Sequence, residues 1–350
     1  MKRQWSVREY QPGDEKQILE LRGIASGGST SRQYWKWQFM DSPAGVARIW
    51  LAEAEQKIVG QYAILPLRMK LKNEIIMSSL SLDTMTHPDY RHQGIFTTLA
   101  NRTYEDASNN DIRCTYGIPN DQSYPGFIKK LQWFNICTVP RLVKVIDWGK
   151  LLKRRFKIPA FVGSLLGYAF EIGIKRTLPS QKAHIETKQI LSFDHRIDEF
   201  WLKASILKSL MVVKDMKYLN WRYVNKPGHD YKIFIAERQE ETVGYIVLKL
   251  ERDDLIQGFI VDLLTLPNED TFARALITKA IEYFREEGAT IVSCWMLEGT
   301  PYYKILRKMG FIRRPSGIRL CARINSSRLS KEFVADPNNW YFVRGDEDTI

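Results

Sequence analysis

The chain repeats itself, and this limits its fold more than any other feature. Tyr34-Trp-Lys-Trp-Gln-Phe39 resembles Tyr218-Leu-Asn-Trp-Arg-Tyr223, 184 positions later. The same offset carries Pro43 onto Pro227, Ala52-Glu53 onto Ala236-Glu237 and Gly60 onto Gly244. Farther on, Asp83-Thr-Met-Thr-His-Pro88 lies over Asp262-Leu-Leu-Thr-Leu-Pro267 at a slightly smaller offset, as a shortened loop requires. Leu131-Gln-Trp133 lies over Met309-Gly-Phe311. Matches that keep order and spacing across most of each half mark two copies of one structural unit. The length of 350 residues suits two domains of about 100–200 residues each.

The hydrophobic pattern is alike in both copies. In the first, strands are expected at Trp5–Glu9, Arg48–Glu53, Ile58–Leu65, Leu67–Ile76, Ser78–Thr86 and Arg113–Ile118. β-branched and aromatic residues cluster in these stretches. Helices are expected at Asp14–Leu21, at Phe96–Ala107, where Phe96, Leu99, Ala100 and Tyr104 share a face, and at Gly126–Leu131. The second copy repeats strands at Lys232–Glu237, Thr242–Leu250, Gly258–Thr265 and Thr290–Met296, with helices at Thr271–Glu286 and Pro301–Lys308. This order gives a mixed α/β sandwich in each copy. The first domain is read as residues 1–138, the second as 183–350, with a connector over 139–182 that is basic, then apolar. The connector's apolar run, Ile158–Phe170, is broken by Pro159, Gly163 and Gly167. It is shorter than the roughly 20 residues a membrane span needs. It reads as a helical connector, or more sharply as a peripheral contact with the inner membrane face.

The net charge of +12 suits a polyanionic partner without choosing one. The four cysteines form no CxxC pair, so no metal site is expected and a reducing compartment is. The first residues hold no apolar signal core, and the protein is read as cytoplasmic.

The stretch that carries chemistry is Ser81–Leu99. An alternating strand ends near Thr86, and His87-Pro-Asp-Tyr90 makes a turn. Arg91-His-Gln-Gly94 then opens a helix. The free N–H groups at a helix start, with the positive end of its dipole, form an anion site. Gly94 permits close backbone approach, and Arg91 adds a fixed charge.

This stretch resembles the acyl-CoA motif of the GNAT superfamily of N-acyltransferases, R/Q-x-x-G-x-G/A after a strand. Arg91, Gly94 and the strand end Met85-Thr86 take the motif's places. Phe96 departs from it, standing where the last small residue belongs and narrowing the loop. Both copies resemble GNAT domains, so the resemblance implies a tandem GNAT protein with a mixed, mostly antiparallel sheet in each copy. It also implies acetyl-CoA or another acyl-CoA as co-substrate, held by Met85, Thr86, Arg91, His92, Gln93, Gly94, Ile95 and Phe96, with Asn120 beyond the next strand. Asp83, eight residues before Arg91, matches the family's acidic base. Its counterpart Asp262 leaves a fold role open. The family's general-acid tyrosine falls on Ile128 here, and Tyr124, one turn earlier, is the substitute. The second copy has no Arg-x-x-Gly, and Glu269 and Asp270 would repel phosphates.

The resemblance implies direct attack of a primary amine on the thioester. Tyr-Gly-x-Pro-Asn followed by Ser-Tyr-Pro-Gly is similar to bacterial GNAT proteins of polysaccharide and cell-envelope pathways, which implies an amino sugar or envelope amine as acceptor. Two other readings compete: an aminoacyl-tRNA-dependent transferase on the same fold, and a non-catalytic adaptor for nucleic acid or membrane. The Arg91–Gly94 loop favours CoA over nucleic acid.

Overall fold

The computed structural model describes residues 4–156, 185–228 and 230–348. Its strands, in chain order, are β1 (Ser6–Glu9), β2 (Arg48–Ala54), β3 (Lys57–Leu71), β4 (Glu74–Thr86), β5 (Ile112–Gly117), β6 (Phe134–Thr138), β7 (Arg141–Val145), β8 (Glu186–Ile190), β9 (Leu210–Val212), β10 (Tyr231–Arg238), β11 (Glu241–Arg252), β12 (Ile256–Thr265), β13 (Ile291–Trp295), β14 (Ile312–Arg314) and β15 (Arg319–Ile324). The helices are α1 (Glu15–Ser26), α2 (Arg32–Phe39), α3 (Ile95–Asn109), α4 (Tyr124–Lys130), α5 (Trp148–Phe156), α6 (Arg196–Ala204), α7 (Met216–Leu219), α8 (Asp270–Glu286), α9 (Pro301–Lys308) and α10 (Lys331–Ala335). The elements predicted from the hydrophobic pattern are present with small shifts at their ends. One differs. β3 runs unbroken through Pro66, and the turn falls at Lys72-Asn73 instead. Pro66 lies between the end of β2 pairing at Ile64 and the start of β9 pairing at Met69. There β3 lacks a second neighbour, so the missing N–H leaves no ladder bond unmade.

Two sheets result. The first has the order β1-β2-β3-β4-β5-β15-β6, with β9 beside the far end of β3. The second has the order β14-β7-β13-β12-β11-β10-β8. The order shows a reciprocal exchange. β15, from the end of the chain, lies antiparallel between β5 and β6 of the first sheet, with Cys321 opposite Gly117 and Leu320 opposite Cys137. β7, from the first half, lies between β13 and β14 of the second. Residues 141–145, read from sequence as connector, are therefore a central strand of the second sheet. Pairing between distant strands leaves no local sequence signal, which is why the exchange is invisible in the pattern. The charge run and apolar stretch beyond Phe156 lie outside the described residues. No helix among the described residues is long and apolar enough to cross a membrane.

The copies meet on a pseudo-two-fold axis. Trp37 of α2 and Trp221, just after α7, stack with ring centroids 5.1 Å apart. Each indole N–H donates to the other's backbone carbonyl, at 2.7 and 3.0 Å. Trp35, Trp37, Trp221 and Tyr223 are all buried, as expected of packing residues. One continuous core runs through both copies. A second lies between the outer face of the first sheet and α3 and α4. Gly60 lets that layer close, because a Cβ there would stand 2.5 Å from Ile95.

The exchange predicts that neither half folds alone. Residues 1–156 lack the strand that fills the slot between β5 and β6, so the fragment should show no cooperative melt by circular dichroism. A fragment with dispersed amide resonances and a sharp transition would contradict the exchange.

Candidate active site

In the first sheet β4 and β5 run parallel and then part. Their pairing covers Met77–Leu80 against Ile112–Tyr116, and Ser81–Thr86 has no partner on that side. A bulge opposite Gln61–Ala63 puts Asp83 at φ 47. The strand end gives a splayed gap with backbone groups facing it. Met85 is buried and Thr86 half-buried at its rim.

Past the gap the chain turns through a short helical turn at Pro88–Tyr90. His92 (φ 63) and Gly94 (φ 86) both adopt left-handed backbone before α3 begins. Alternating handedness of this kind turns successive N–H groups into one concavity, an anion nest. The N–H groups of His92 to Thr97 find no acceptor among the described residues, and Thr98 makes the first bond, to Gly94 O at 3.0 Å. Arg91 and His92 are exposed beside this row. Gln93 donates to Asp89 O at 3.3 Å, while its own amide oxygen is buried without a partner. Ile95 is buried against Gly60. Phe96 does not narrow the row as expected. Its ring turns inward onto Phe127 and Tyr62, at 5.2 and 6.1 Å. There it fills the space left by Gly126, where a Cβ would stand 2.8 Å from it.

Asn120 is half committed. Its side-chain oxygen accepts from Gln122 N and Ser123 N, at 3.1 and 2.9 Å, and so shapes the start of α4. Tyr124 opens that helix half-buried, with the Arg319 guanidinium 4.6 Å from its ring centre. Arg319 belongs to the exchanged strand β15, so the second half of the chain supports this side of the gap.

Asp83 meets Arg22 of α1 at 2.8 Å. Burial raises its pKa and Arg22 opposes the rise. Its backbone carbonyl accepts from Gln61 Nε2 at 3.1 Å. Beside it lies a group that the sequence reading missed. The end of the chain, Gly345–Asp348, crosses the face of the first sheet over Leu65, Leu67, Leu80 and Leu82. Arg222 holds the segment, donating to Gly345 O at 2.9 Å and to Glu347 O. Asp348 is half-buried here, and its carboxyl is pushed up to about 7 by burial, by Glu347 and by Asp83. The Asp-Glu-Asp run in a basic chain was a visible signal, but nothing local in the sequence ties it to β4. Lys226 does not neutralise the cluster. Its amine lies over the rings of Trp37 and Tyr34, at 5.0 and 5.5 Å. Burial, with Arg222 and Lys249 nearby, pushes it down to about 6.

The second copy has the same strand ends and fills them. Thr265 N donates to the Tyr302 hydroxyl at 2.8 Å, and the Tyr341 hydroxyl donates to Leu263 O. Glu269 stands at the start of α8, where its side chain makes no capping bond and pairs instead with Arg238 at 2.9 Å. Asp262, opposite Asp83 in the repeat, is enclosed by Lys214, Tyr223 and Tyr245. No cluster of metal-ligating residues occurs among the described residues.

A splayed parallel pair, a nest at the next helix start and an acid on the preceding strand define the acyl-CoA-binding fold of N-acyltransferases. Residues 6–134 match the Acetyltransferase (GNAT) domain, and residues 203–311 the Acetyltransferase (GNAT) family. The chain belongs to the GNAT superfamily as a tandem, acyl-CoA-dependent N-acyltransferase. Among solved structures it is similar to a GCN5-related N-acetyltransferase from Anabaena variabilis (TM-score 0.68, 15% identity, 92% of this chain and 73% of that one). It is also similar to a probable N-acyltransferase from Enterococcus faecalis (0.67, 12%, 92% and 73%) and to Saccharomyces cerevisiae N-myristoyltransferase with bound myristoyl-CoA (0.57, 11%, 91% and 78%). At these identities the likeness is one of fold. No curated protein matches the chain in sequence.

Gly94→Glu places a carboxylate and a Cβ at a left-handed position that faces open space. The backbone strain is worth about 1–2 kcal/mol, so the protein should still fold. Its Kd for acetyl-CoA by calorimetry should rise at least about tenfold, the effect of one like charge at roughly 1.4 kcal/mol. Unchanged affinity would remove the nest from the donor site.

Proposed function

We propose that the first copy moves an acyl group, acetyl in the simplest case, from acyl-CoA to a primary amine, with Asp348 as the base. One observation carries this reading: β4 leads into the donor nest, carries Asp83 at its bulge, and is crossed at Leu80 and Leu82 by the segment that bears Asp348. Arg91 and the N–H row from His92 to Thr97 hold the pyrophosphate. Met85 and Thr86 line the gap, and Asn120, whose amide oxygen shapes the start of α4, contributes its NH2 to the donor. Acyl-CoA supplies an activated thioester carbonyl.

The acceptor nitrogen must lose a proton as it attacks. Asp83 is the base expected from sequence, but its ion pair with Arg22 stabilises the charged form and weakens it as an acceptor. Asp348 has the opposite surroundings. Burial first, then Glu347 and Asp83, favour its protonated form against Arg222, so its pKa of about 7 matches a base working near neutrality. Asp83 thus acts as the fixed charge that sets Asp348. The amine forms the new C–N bond and passes its proton to Asp348. The C–S bond breaks, and the leaving thiolate takes a proton from Tyr124 or water.

The carboxyl cluster attracts an acceptor that arrives as an ammonium cation and sheds one proton to water before the neutral amine attacks, which suits an amino sugar or a related envelope amine. The second copy serves as scaffold, and the reaction belongs to the cytoplasm, where acyl-CoA is made.

The pH profile tests these roles. The base must be ionised, so kcat/KM should rise through about pH 7. Asp348→Asn should lower kcat by about 10²–10⁴-fold and abolish that rise while sparing acetyl-CoA binding. Asp83→Asn removes one repelling charge, so the inflection should move to lower pH. A profile that neither substitution alters would reject the pair.

A further inference from the structure

We propose that Lys214, Asp262 and Asp346 are positioning residues that let the inactive copy hold the base of the active one. The inference rests on the reading of Asp348 as base. Lys214 lies wholly inside the protein between two carboxylates, 2.6 Å from Asp262 Oδ2 and 2.8 Å from Asp346 Oδ1. Asp262 also accepts from Tyr223 at 2.9 Å, Tyr245 at 3.2 Å and the Leu263 N–H at 2.9 Å. Asp346 accepts from the Val343 N–H at 3.0 Å, and its carbonyl accepts from the Tyr116 hydroxyl of β5 at 2.9 Å. Asp346 thus ties this cluster of the second copy to β5 of the first.

The repeat shows where this cluster comes from. Asp262 stands where the first copy has Asp83, Tyr223 where it has Phe39 and Tyr245 where it has Gln61. The acid that borders the gap in one copy is saturated by hydroxyls and a lysine in the other. Buried ion pairs contribute little net stability compared with apolar packing of the same volume, but they fix register. Asp348 is two residues beyond Asp346, a reach of about 7 Å at most. An anchor at Asp346 therefore confines the base to the bulge at Asp83. Gly345 belongs to the same device, because a Cβ there would collide with the Tyr223 hydroxyl.

A cycle of Asp346→Asn, Asp348→Asn and the double variant tests this in the full chain, reading kcat, pH profile and acetyl-CoA affinity. Asp346→Asn should lower kcat at least about tenfold and flatten the rise near pH 7, with Kd for acetyl-CoA within about twofold of the parent. The double variant should be no slower than Asp348→Asn alone, because residues that act through one group are not additive. Multiplying losses, or an Asp346→Asn enzyme with the parent's kcat and profile, would overturn the anchor while leaving the base in place. Full activity of Asp348→Asn would overturn both. If Asp346→Asn fails to fold, Tyr116→Phe, which removes the β5 hydroxyl's bond to Asp346 O, takes its place in the cycle with the same expected non-additivity.

Discussion

The antiparallel seat of β15 between β5 and β6 is the constraint on which the rest depends. A strand from the end of the chain completes the first sheet, and β7 completes the second in return. Neither core closes without the other half, so the two copies of one repeated unit fold as one cooperative whole. Strands paired across most of the chain length make this a high-contact-order fold, with a correspondingly slow search. The reciprocal Trp37 and Trp221 bonds add about 1 kcal/mol each on the axis between the copies, but they lock an arrangement that the exchange has already set.

The exchange also decides where the chain ends. After β15 the backbone is already on the first sheet, and α10 and the segment from Trp340 carry it between the two cores. Leu210 of β9, Lys214 and Arg222 then guide it over the leucines of β3 and β4. The last acids consequently reach the face of the first sheet at Leu80 and Leu82, near Asp83. Divergence between the copies follows from this division. The first keeps an open gap, a left-handed glycine and an acid with one arginine partner. The second has Tyr302 and Tyr341 in its gap, Glu269 at its helix start and three side-chain donors on its acid.

Local features were legible in the sequence. The repeat, the strand–turn–helix at Ser81–Leu99, and the place of Arg91 and Gly94 just before α3 all depend on short-range geometry: a strand end, a helix start, a residue that accepts φ near 86. What escaped was non-local. Nothing near residue 141 or 319 says that those strands change places. Nothing near Asp348 says that it reaches a bulge at Asp83, because that juxtaposition follows from the exchange. Phe96 was misjudged for a related reason. Its partner Gly126 lies on another helix, and only the fold shows that the ring has somewhere to go.

Calorimetric titration of the full chain with acetyl-CoA tests most directly the claim that one copy binds the donor while the other provides structure. The arrangement of open and filled gaps predicts a stoichiometry near one per chain. Two per chain would mean that Tyr302 and Tyr341 give way to the pantetheine arm, and the division of labour between the copies would be wrong.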